Sequence, residues 1–112
     1  MQDLKITTVQ ASQLWEDKKD NLANYERLLK DIEITDLIIF PEMFHTGFSM
    51  NVEALAETME NSMGINWLKN CAKSNNCAVY TSLIIKENNA FYNRGVFIEP
   101  TGKLSIYDKR KC

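Results

Sequence analysis

The first part of the chain combines short apolar runs with an amphipathic stretch, which predicts a strand, a helix and a second strand. Apolar and polar side chains alternate over residues 4–9, as in a strand with one buried face. Asp17 or Asp20 could cap the helix that follows, in which these apolar residues fall at helical spacing: Leu22, Tyr25, Leu28, Leu29 and Ile32. Residues 37–40 are all large and apolar, which is typical of a short strand buried on both faces. This order predicts a right-handed βαβ unit with parallel strands.

The second part of the chain predicts another helix and an antiparallel extension of the sheet. Residues 51–58 form a short helix or an irregular loop, and a second amphipathic helix follows Gly64. Residues 77–85 predict a third strand, and the turn at Asn88 and Asn89 returns residues 91–98 antiparallel. A turn at residues 100–102 leads to a last short strand at 104–107, followed by a basic tail. The apolar side of the second helix carries Ile65, Leu68, Cys71 and Ala72.

The end of the chain bears on how complete this fold is. The sequence stops on a basic run directly after a predicted strand, so nothing follows to cover the second face of the sheet or its new edge. Complete proteins usually protect such an edge. We therefore expect the front part of a longer fold.

Composition places the chain among ordinary globular proteins and argues against several classes of partner. Its 112 residues are 45% hydrophobic and 25% charged with a formal net charge of −2, which fits one domain over residues 1–112. No basic stripe points to nucleic acid, and no apolar run is long enough to cross a membrane. The N-terminus lacks the features of a signal peptide. Three cysteines without metal-ligand spacing fit a reducing cytoplasm, with Cys71 and Cys77 expected in the core.

Glu42 is the first candidate for chemistry because it follows a predicted buried strand at its carboxyl end. Pro41 ends that strand, and apolar side chains such as Met43 and Phe48 surround Glu42 in the sequence. Ligands bind at the carboxyl ends of strands in open α/β sheets, and a carboxylate that loses hydration becomes a stronger base. The pattern fits a solvated glutamate at the start of a loop equally well. A flavodoxin-like binding module is a weaker alternative, because no glycine-rich phosphate loop follows the first strand.

Several segments, in order along nearly the whole chain, resemble one family. They are Val9-Gln10, Phe-Pro-Glu-Met-Phe at 40–44 with Thr-Gly-Phe at 46–48, Tyr-Asn-Arg at 92–94 and Tyr-Asp-Lys-Arg at 107–110. Together they resemble the carbon–nitrogen hydrolase (nitrilase) superfamily, and most closely its ω-amidase-like branch. The resemblance implies an α/β fold that is an incomplete α-β-β-α sandwich, with a βαβ start and a mixed sheet with helices on one face.

The same resemblance implies amide hydrolysis by a Glu-Lys-Cys triad. Glu42 matches the general base and Lys109 the lysine, whereas the nucleophilic cysteine of the family lies on a later strand beyond these residues. The implied reaction releases ammonia from small ω-amides of dicarboxylic or 2-oxo acids through an acyl-enzyme, with no cofactor and no metal. The implied partner is a small-molecule amide, and self-association into a homo-oligomer is common in the superfamily. The alternative is a truncated, inactive relative that keeps only the half-fold.

Cys112 and His45 are further candidates near the predicted site. Cys112 is close to Lys109 in sequence, but a chain end cannot hold an attack geometry, and the resemblance matches Cys112 to a packing position. We therefore assign no nucleophile within the chain. His45 is the sole histidine, which excludes multi-histidine metal sites. Both Phe44 and His45 could line a pocket beside Glu42, although His45 also fits a surface loop.

The hairpin strand carries three more candidates: Tyr92, Asn93 and Arg94. Tyr92 could be a cross-strand aromatic residue and Arg94 a solvated cation. In the family, the asparagine and arginine of this motif help to support the catalytic region, so we favour a supporting role for them here. Asp108 fits a flanking charge, or it could orient Lys109 or Arg110.

Overall fold

A five-stranded sheet organises the chain in the computed structural model, which describes residues 3–112. Met1 and Gln2 lie outside the described residues. The elements in chain order are β1 (Ile6–Thr8), α1 (Lys18–Leu29), β2 (Leu37–Ile39), α2 (Val52–Leu55), α3 (Met63–Asn75), β3 (Ala78–Glu87), β4 (Ala90–Ile98) and β5 (Leu104–Lys111). This is the mixed α/β arrangement that the sequence predicts. No helix within the described residues is both long and apolar enough to span a membrane.

The strands follow each other across the sheet in sequence order, from β1 to β5. Neighbouring strands are parallel from β1 to β3 and antiparallel from β3 to β5. Two antiparallel steps restore the original direction, so β5 runs parallel to β2 and β3. The carboxyl ends of β2 and β5 therefore lie at the same edge of the sheet, where open α/β sheets hold their ligands.

Side-chain caps and left-handed residues set the limits of the helices and the hairpin. Asp17 caps α1 by accepting from the Asp20 amide, and Ser62 caps α3 by accepting from the Ile65 amide. Asn76 ends α3 in the left-handed conformation. The predicted hairpin turn is confirmed at Asn88 and Asn89, whose φ angles are 52° and 63°.

The main core lies between the two long helices and one face of the sheet. Helix α1 contributes Leu22, Tyr25 and Leu29, and α3 contributes the predicted apolar side. Residues that pair across neighbouring strands share a face, so the sheet side of this core is the set Ile38, Val79, Leu83, Ile85, Val96 and Ile98. Cys71 and Cys77 are buried in the same core, as predicted. Leu28 is an exception to the predicted helix pattern, since it is 47% exposed.

The opposite face of the sheet is open over much of its width. Ile6 is 51% exposed and Tyr107 is 70% exposed, and Leu37 and Ile39 are only half-buried. The prediction that residues 37–40 are buried on both faces is therefore wrong. The two inward residues, Ile38 and Phe40, are fully covered by the helices, while among the described residues no helix layer covers the other side of β2.

Strand β5 is longer than its sequence pattern predicts. It continues through the predicted basic tail to Lys111, because β5 stays paired with β4 beyond Tyr107. The pairing register shifts between Asn93 and Arg94, where Arg110 and Asp108 are the respective partners. Lys109 is thus the extra residue of a β-bulge, a feature that redirects side chains at sheet ends.

Candidate active site

The turn that follows β2 places Glu42 by bending the backbone sharply at the next residue. Met43 has a φ of 47°, in the left-handed region that a residue with a branched or long side chain rarely adopts. Its carbonyl accepts from the amides of Thr46 and Gly47, and its own amide donates to the Ser82 hydroxyl at 3.0 Å. Such a conformation costs about 1–3 kcal/mol and persists only where the surroundings hold it in place.

Side chains from the N-terminal part of the chain bind the carbonyl groups of this turn. The Gln13 amide lies 3.1–3.3 Å from the carbonyl oxygens of Glu42, Met43 and Phe44. The Tyr25 hydroxyl donates to the Phe44 carbonyl at 2.7 Å, and burial raises the pKa of that hydroxyl, which keeps it a donor. We call residues 42–47 the Glu42 turn. Its buried backbone is hydrogen-bonded, which leaves the Glu42 side chain as its exposed functional group.

The structure brings Glu42 and Lys109 together. The Lys109 ammonium forms an ion pair with Oε1 of Glu42. Their strands are not neighbours in the sheet, because β3 and β4 lie between β2 and β5. The contact forms because the two carboxyl ends share one edge and the bulge redirects Lys109.

The pair is accessible rather than enclosed. The Glu42 side chain is 48% exposed and that of Lys109 is 30% exposed. The apolar residues that follow Glu42 in sequence turn away from it into the core, since Met43 and Phe44 are buried. Strong desolvation of Glu42, which its sequence neighbours suggest, is therefore absent in the described part of the chain, and the lysine is its principal partner.

A buried arginine fixes the strand that carries Lys109. Arg94 is 2% exposed and forms a bidentate pair with Asp108, with distances of 2.6 Å from Nε to Oδ1 and 3.1 Å from Nη2 to Oδ2. Its Nη1 donates to Glu87 at 2.8 Å, and its guanidinium lies 5.4 Å from the centre of the Tyr92 ring. The hydrogen bond from Arg94 lowers the pKa of Asp108. Because Asp108 directly precedes Lys109, this pair anchors the bulge.

The other predicted site residues lie behind the pair. Phe44 is fully buried among aromatic rings, and His45 is 1% exposed, so neither lines an open pocket in the described chain. His45 is also not the surface residue of the alternative interpretation. Asn93 is 4% exposed, and its Oδ1 has no hydrogen-bond partner among the described residues. Tyr92 is half-buried beside Arg94.

A second carboxylate, Glu57, was not identified from the sequence. It is 7% exposed and accepts from the Ser62 hydroxyl at 2.6 Å, the Gly64 amide at 3.0 Å and His45 Nε2 at 2.8 Å. The Lys18 ammonium lies 2.9 Å away. Burial raises the pKa of Glu57, but the His45 contact and the other donors outweigh it and lower the pKa to about 2. No local pattern signals this cluster, because its members come from four separate segments.

Several cavities open on the described part of the chain, and two of them bear on where the site lies. One of about 320 Å³ is lined by Arg110 and Cys112 together with residues of the loop before α2. A bigger one of about 630 Å³ lies between α1 and α3 and touches neither Glu42 nor Lys109. We take the ion pair as the candidate site, because a carboxylate and an ammonium group meet there at the carboxyl edge of the sheet. The described residues include no cluster of three or more histidine, cysteine or carboxylate side chains able to hold a metal.

Comparison with known proteins gives the same family by sequence and by fold. The profile of the family described as carbon-nitrogen hydrolase matches residues 5–112. Omega-amidase YafV of Escherichia coli K12 is 36% identical over 110 residues, and the protein of that name from Yersinia enterocolitica is 33% identical. Each match covers 98% of this chain and 42% of the relative, so the chain spans less than half the length of these curated relatives.

Solved structures reproduce the fold. XC1258 from Xanthomonas campestris, a CN-hydrolase superfamily protein with an arsenic adduct in its active site, superposes with a TM-score of 0.88 at 35% identity. That match covers 98% of this chain and 42% of XC1258. A carbon-nitrogen hydrolase from Helicobacter pylori G27 gives a TM-score of 0.80 at 18% identity, over 95% of this chain and 39% of that protein.

Proposed function

Since this chain belongs to the carbon–nitrogen hydrolase family, we propose that it supplies the general base and the lysine of an ω-amidase-type amide hydrolase. The observation that carries the proposal is the ion pair between Glu42 and Lys109 at the carboxyl edge of the sheet. The similarity to two proteins named omega-amidase supports the choice of branch.

In this proposal Glu42 moves protons while Lys109 stabilises charge. A thiol attacks the amide carbonyl carbon and transfers its proton to Glu42, which then delivers it to the departing ammonia. Glu42 next takes a proton from water, whose hydroxyl attacks the thioester carbonyl and breaks the carbon–sulfur bond. Glu42 returns that proton to the departing thiolate, which releases the carboxylic acid and the free thiol. The Lys109 ammonium offsets negative charge on the substrate oxygen, a role that is worth roughly 3 kcal/mol for a single donor.

The thiol of this reaction is assigned to a segment outside these 112 residues. Burial raises the pKa of Cys71 to about 12 and also raises that of Cys77, so both stay protonated thiols in the core. Cys112 is exposed, and its backbone amide donates to the Phe91 carbonyl at 2.7 Å, which ties it to the end of the β5 ladder. The proposed substrates are small ω-amides of dicarboxylic or 2-oxo acids.

A fusion experiment tests this assignment. The chain is joined to the part of Escherichia coli omega-amidase YafV that follows the matched region, and ammonia release from a small dicarboxylic acid monoamide is measured. We expect activity that falls by about 10²–10⁴-fold in Glu42→Gln, as for loss of a general acid–base group. Lys109→Met should lose activity to a similar extent.

Glu53→Gln is the matched control, because Glu53 is an exposed glutamate on α2. It should leave the rate unchanged. A fusion whose ammonia release survives Glu42→Gln would contradict the proposed role of Glu42.

The second candidate is a chain that has the half-fold without the chemistry. The buried state of Cys71 and Cys77 favours it for these residues alone. We expect no ammonia release from the 112-residue chain by itself. Release that Glu42→Gln abolishes would overturn this second candidate and place a nucleophile within the chain.

A further inference from the structure

We propose that Glu57 is a positioning residue for Glu42: its buried carboxylate binds His45 and thereby holds the strained Glu42 turn in place. The inference rests on the proposed function, because it gives a role to a group that does not itself reach the Glu42–Lys109 pair. Glu57 lies in the segment between α2 and α3, where its backbone pairs with β3 opposite Ile85.

The first step of the argument is that Glu57 joins several elements at one point. Oε1 accepts from Ser62 and Gly64 at the start of α3, and Oε2 binds His45 of the Glu42 turn and Lys18 at the start of α1. A carboxylate at a helix N-terminus also interacts favourably with the unpaired amides there. One buried group therefore fixes the starts of two helices relative to the turn.

The second step is the tight fit around His45. Its ring stacks on Phe44 with centroids 4.7 Å apart, and a Cβ atom on Gly64 would lie 2.9 Å from Nε2. The ring is therefore held between the turn and the first residues of α3. Because Nε2 donates to Glu57, loss of the acceptor leaves a buried donor without a partner, and the ring must move or take up water.

The third step leads from His45 to Glu42. The His45 carbonyl accepts from the Asn21 side chain at 3.0 Å, and the turn closes through amides that donate to the Met43 carbonyl. A shift of His45 therefore changes the hydrogen bonds of the Glu42 turn. That turn contains the left-handed residue Met43, which sets the direction of the preceding Glu42. Strained residues of this kind relax once the surrounding contacts are lost.

The test compares Glu57→Gln with Leu68→Ala in the 112-residue chain. Gln keeps the size of Glu57 but removes its charge. Leu68→Ala lowers global stability from a fully buried position on α3, and Leu68 is not among the groups that bind the Glu57 carboxylate. Amide hydrogen exchange at Met43, Phe44 and Gly47 is measured by NMR, together with the backbone carbon shifts of Met43 that report its left-handed conformation.

After correction for global stability, Glu57→Gln should accelerate exchange at these amides by about tenfold or more and move the Met43 shifts, since a charged hydrogen bond is lost. Leu68→Ala should do neither. Equal effects of the two variants, or an unchanged turn in Glu57→Gln, would overturn the inference. If Glu57→Gln does not fold, Lys18→Met applies the same criteria, because it removes one partner of Glu57 and keeps the carboxylate.

The same spectra separate this inference from the proposed function. A through-space contact between the Glu42 and Lys109 side chains in the unsubstituted chain tests the pair on which the proposed function depends. Absence of that contact counts against the proposed function, whereas the behaviour of the Glu42 turn in Glu57→Gln still decides the positioning role.

Discussion

Glu42 and Glu57 lie in the same connection between β2 and α3, yet the fold treats the two carboxylates in opposite ways. Glu57 is buried and receives hydrogen bonds or an ion pair from four side-chain or backbone donors. Glu42 is half-exposed and pairs with one lysine. A carboxylate whose acceptor sites are all occupied can stabilise the fold but cannot accept a substrate proton. This difference fits the roles proposed above, in which Glu42 is the proton-transfer group and Glu57 is the positioning residue.

The largest expected effect is the loss of stability in Glu57→Gln, and it should depend on pH. The pKa of Glu57 falls from 4.5 to about 2 on folding, so its contribution is complete above pH 4.5 and is lost as the pH falls towards 2. At neutral pH the shift corresponds to about 3 kcal/mol. Urea unfolding at pH 7 should show a free energy of unfolding that is lower by this amount in Glu57→Gln than in the unsubstituted chain. The difference should shrink greatly at pH 2.5.

Glu60→Gln is the control for that comparison, because Glu60 is an exposed glutamate three residues further along. It should change the unfolding free energy by no more than about 0.5 kcal/mol at either pH. A difference between Glu57→Gln and the unsubstituted chain that stays constant from pH 7 to pH 2.5 would contradict the buried ionised state of Glu57.

An intermediate effect on stability is expected for Gly64→Ala. This change adds a methyl group beside the groups that bind Glu57 and leaves their charge unchanged. The new Cβ would lie 2.9 Å from both His45 Nε2 and Leu83 Cδ1. Crowding of this kind costs about 1–3 kcal/mol, against a helix-propensity gain of up to about 1 kcal/mol. Thermal unfolding should therefore show a net loss, whereas Lys69→Ala on the exposed side of α3 should show none. A stabilised Gly64→Ala protein would mean that His45 is not held as tightly as described.

The smallest expected effect is that of Glu42→Gln on stability. Its pair with Lys109 is exposed, and exposed ion pairs contribute about 0–1 kcal/mol. Unfolding of Glu42→Gln by urea at pH 7 should match that of the unsubstituted chain within about 0.5 kcal/mol. A loss as large as that in Glu57→Gln would remove the contrast between the two carboxylates.

Features that depend on local sequence were predictable, and features that depend on partners were not. The helices and strands follow from apolar spacing and from caps such as Asp17, and these are properties of neighbouring residues. The true end of β5 was missed because Lys109 and Arg110 are charged, and only pairing with β4 keeps them extended. The half-buried state of Leu37 was missed because it depends on whether another layer packs on the second face of the sheet. The periodicity of apolar residues does not contain that information.

The two parts of the candidate site differ in the same way. The pairing of Glu42 with Lys109 came from the resemblance of two motifs, since no local spacing relates residues so far apart. Glu57 carried no motif, and its partners Lys18, His45 and Ser62 meet only when both helices are in place. Buried polar clusters of this kind cannot be predicted from a single sequence, because their members are distant along the chain.

The β-bulge at Asn93 and Arg94 has an evolutionary consequence for β5. The strand places Asp108 against the buried Arg94 and Lys109 beside Glu42 at the carboxyl edge of the sheet. In a strand, a one-residue change of register moves each side chain to the opposite face. Deletion of one residue of β5 at the bulge would therefore turn the neighbouring side chains to the opposite face, while the composition and hydrophobicity of the strand would hardly change. Insertions and deletions in this strand should thus be far less tolerated among relatives than substitutions.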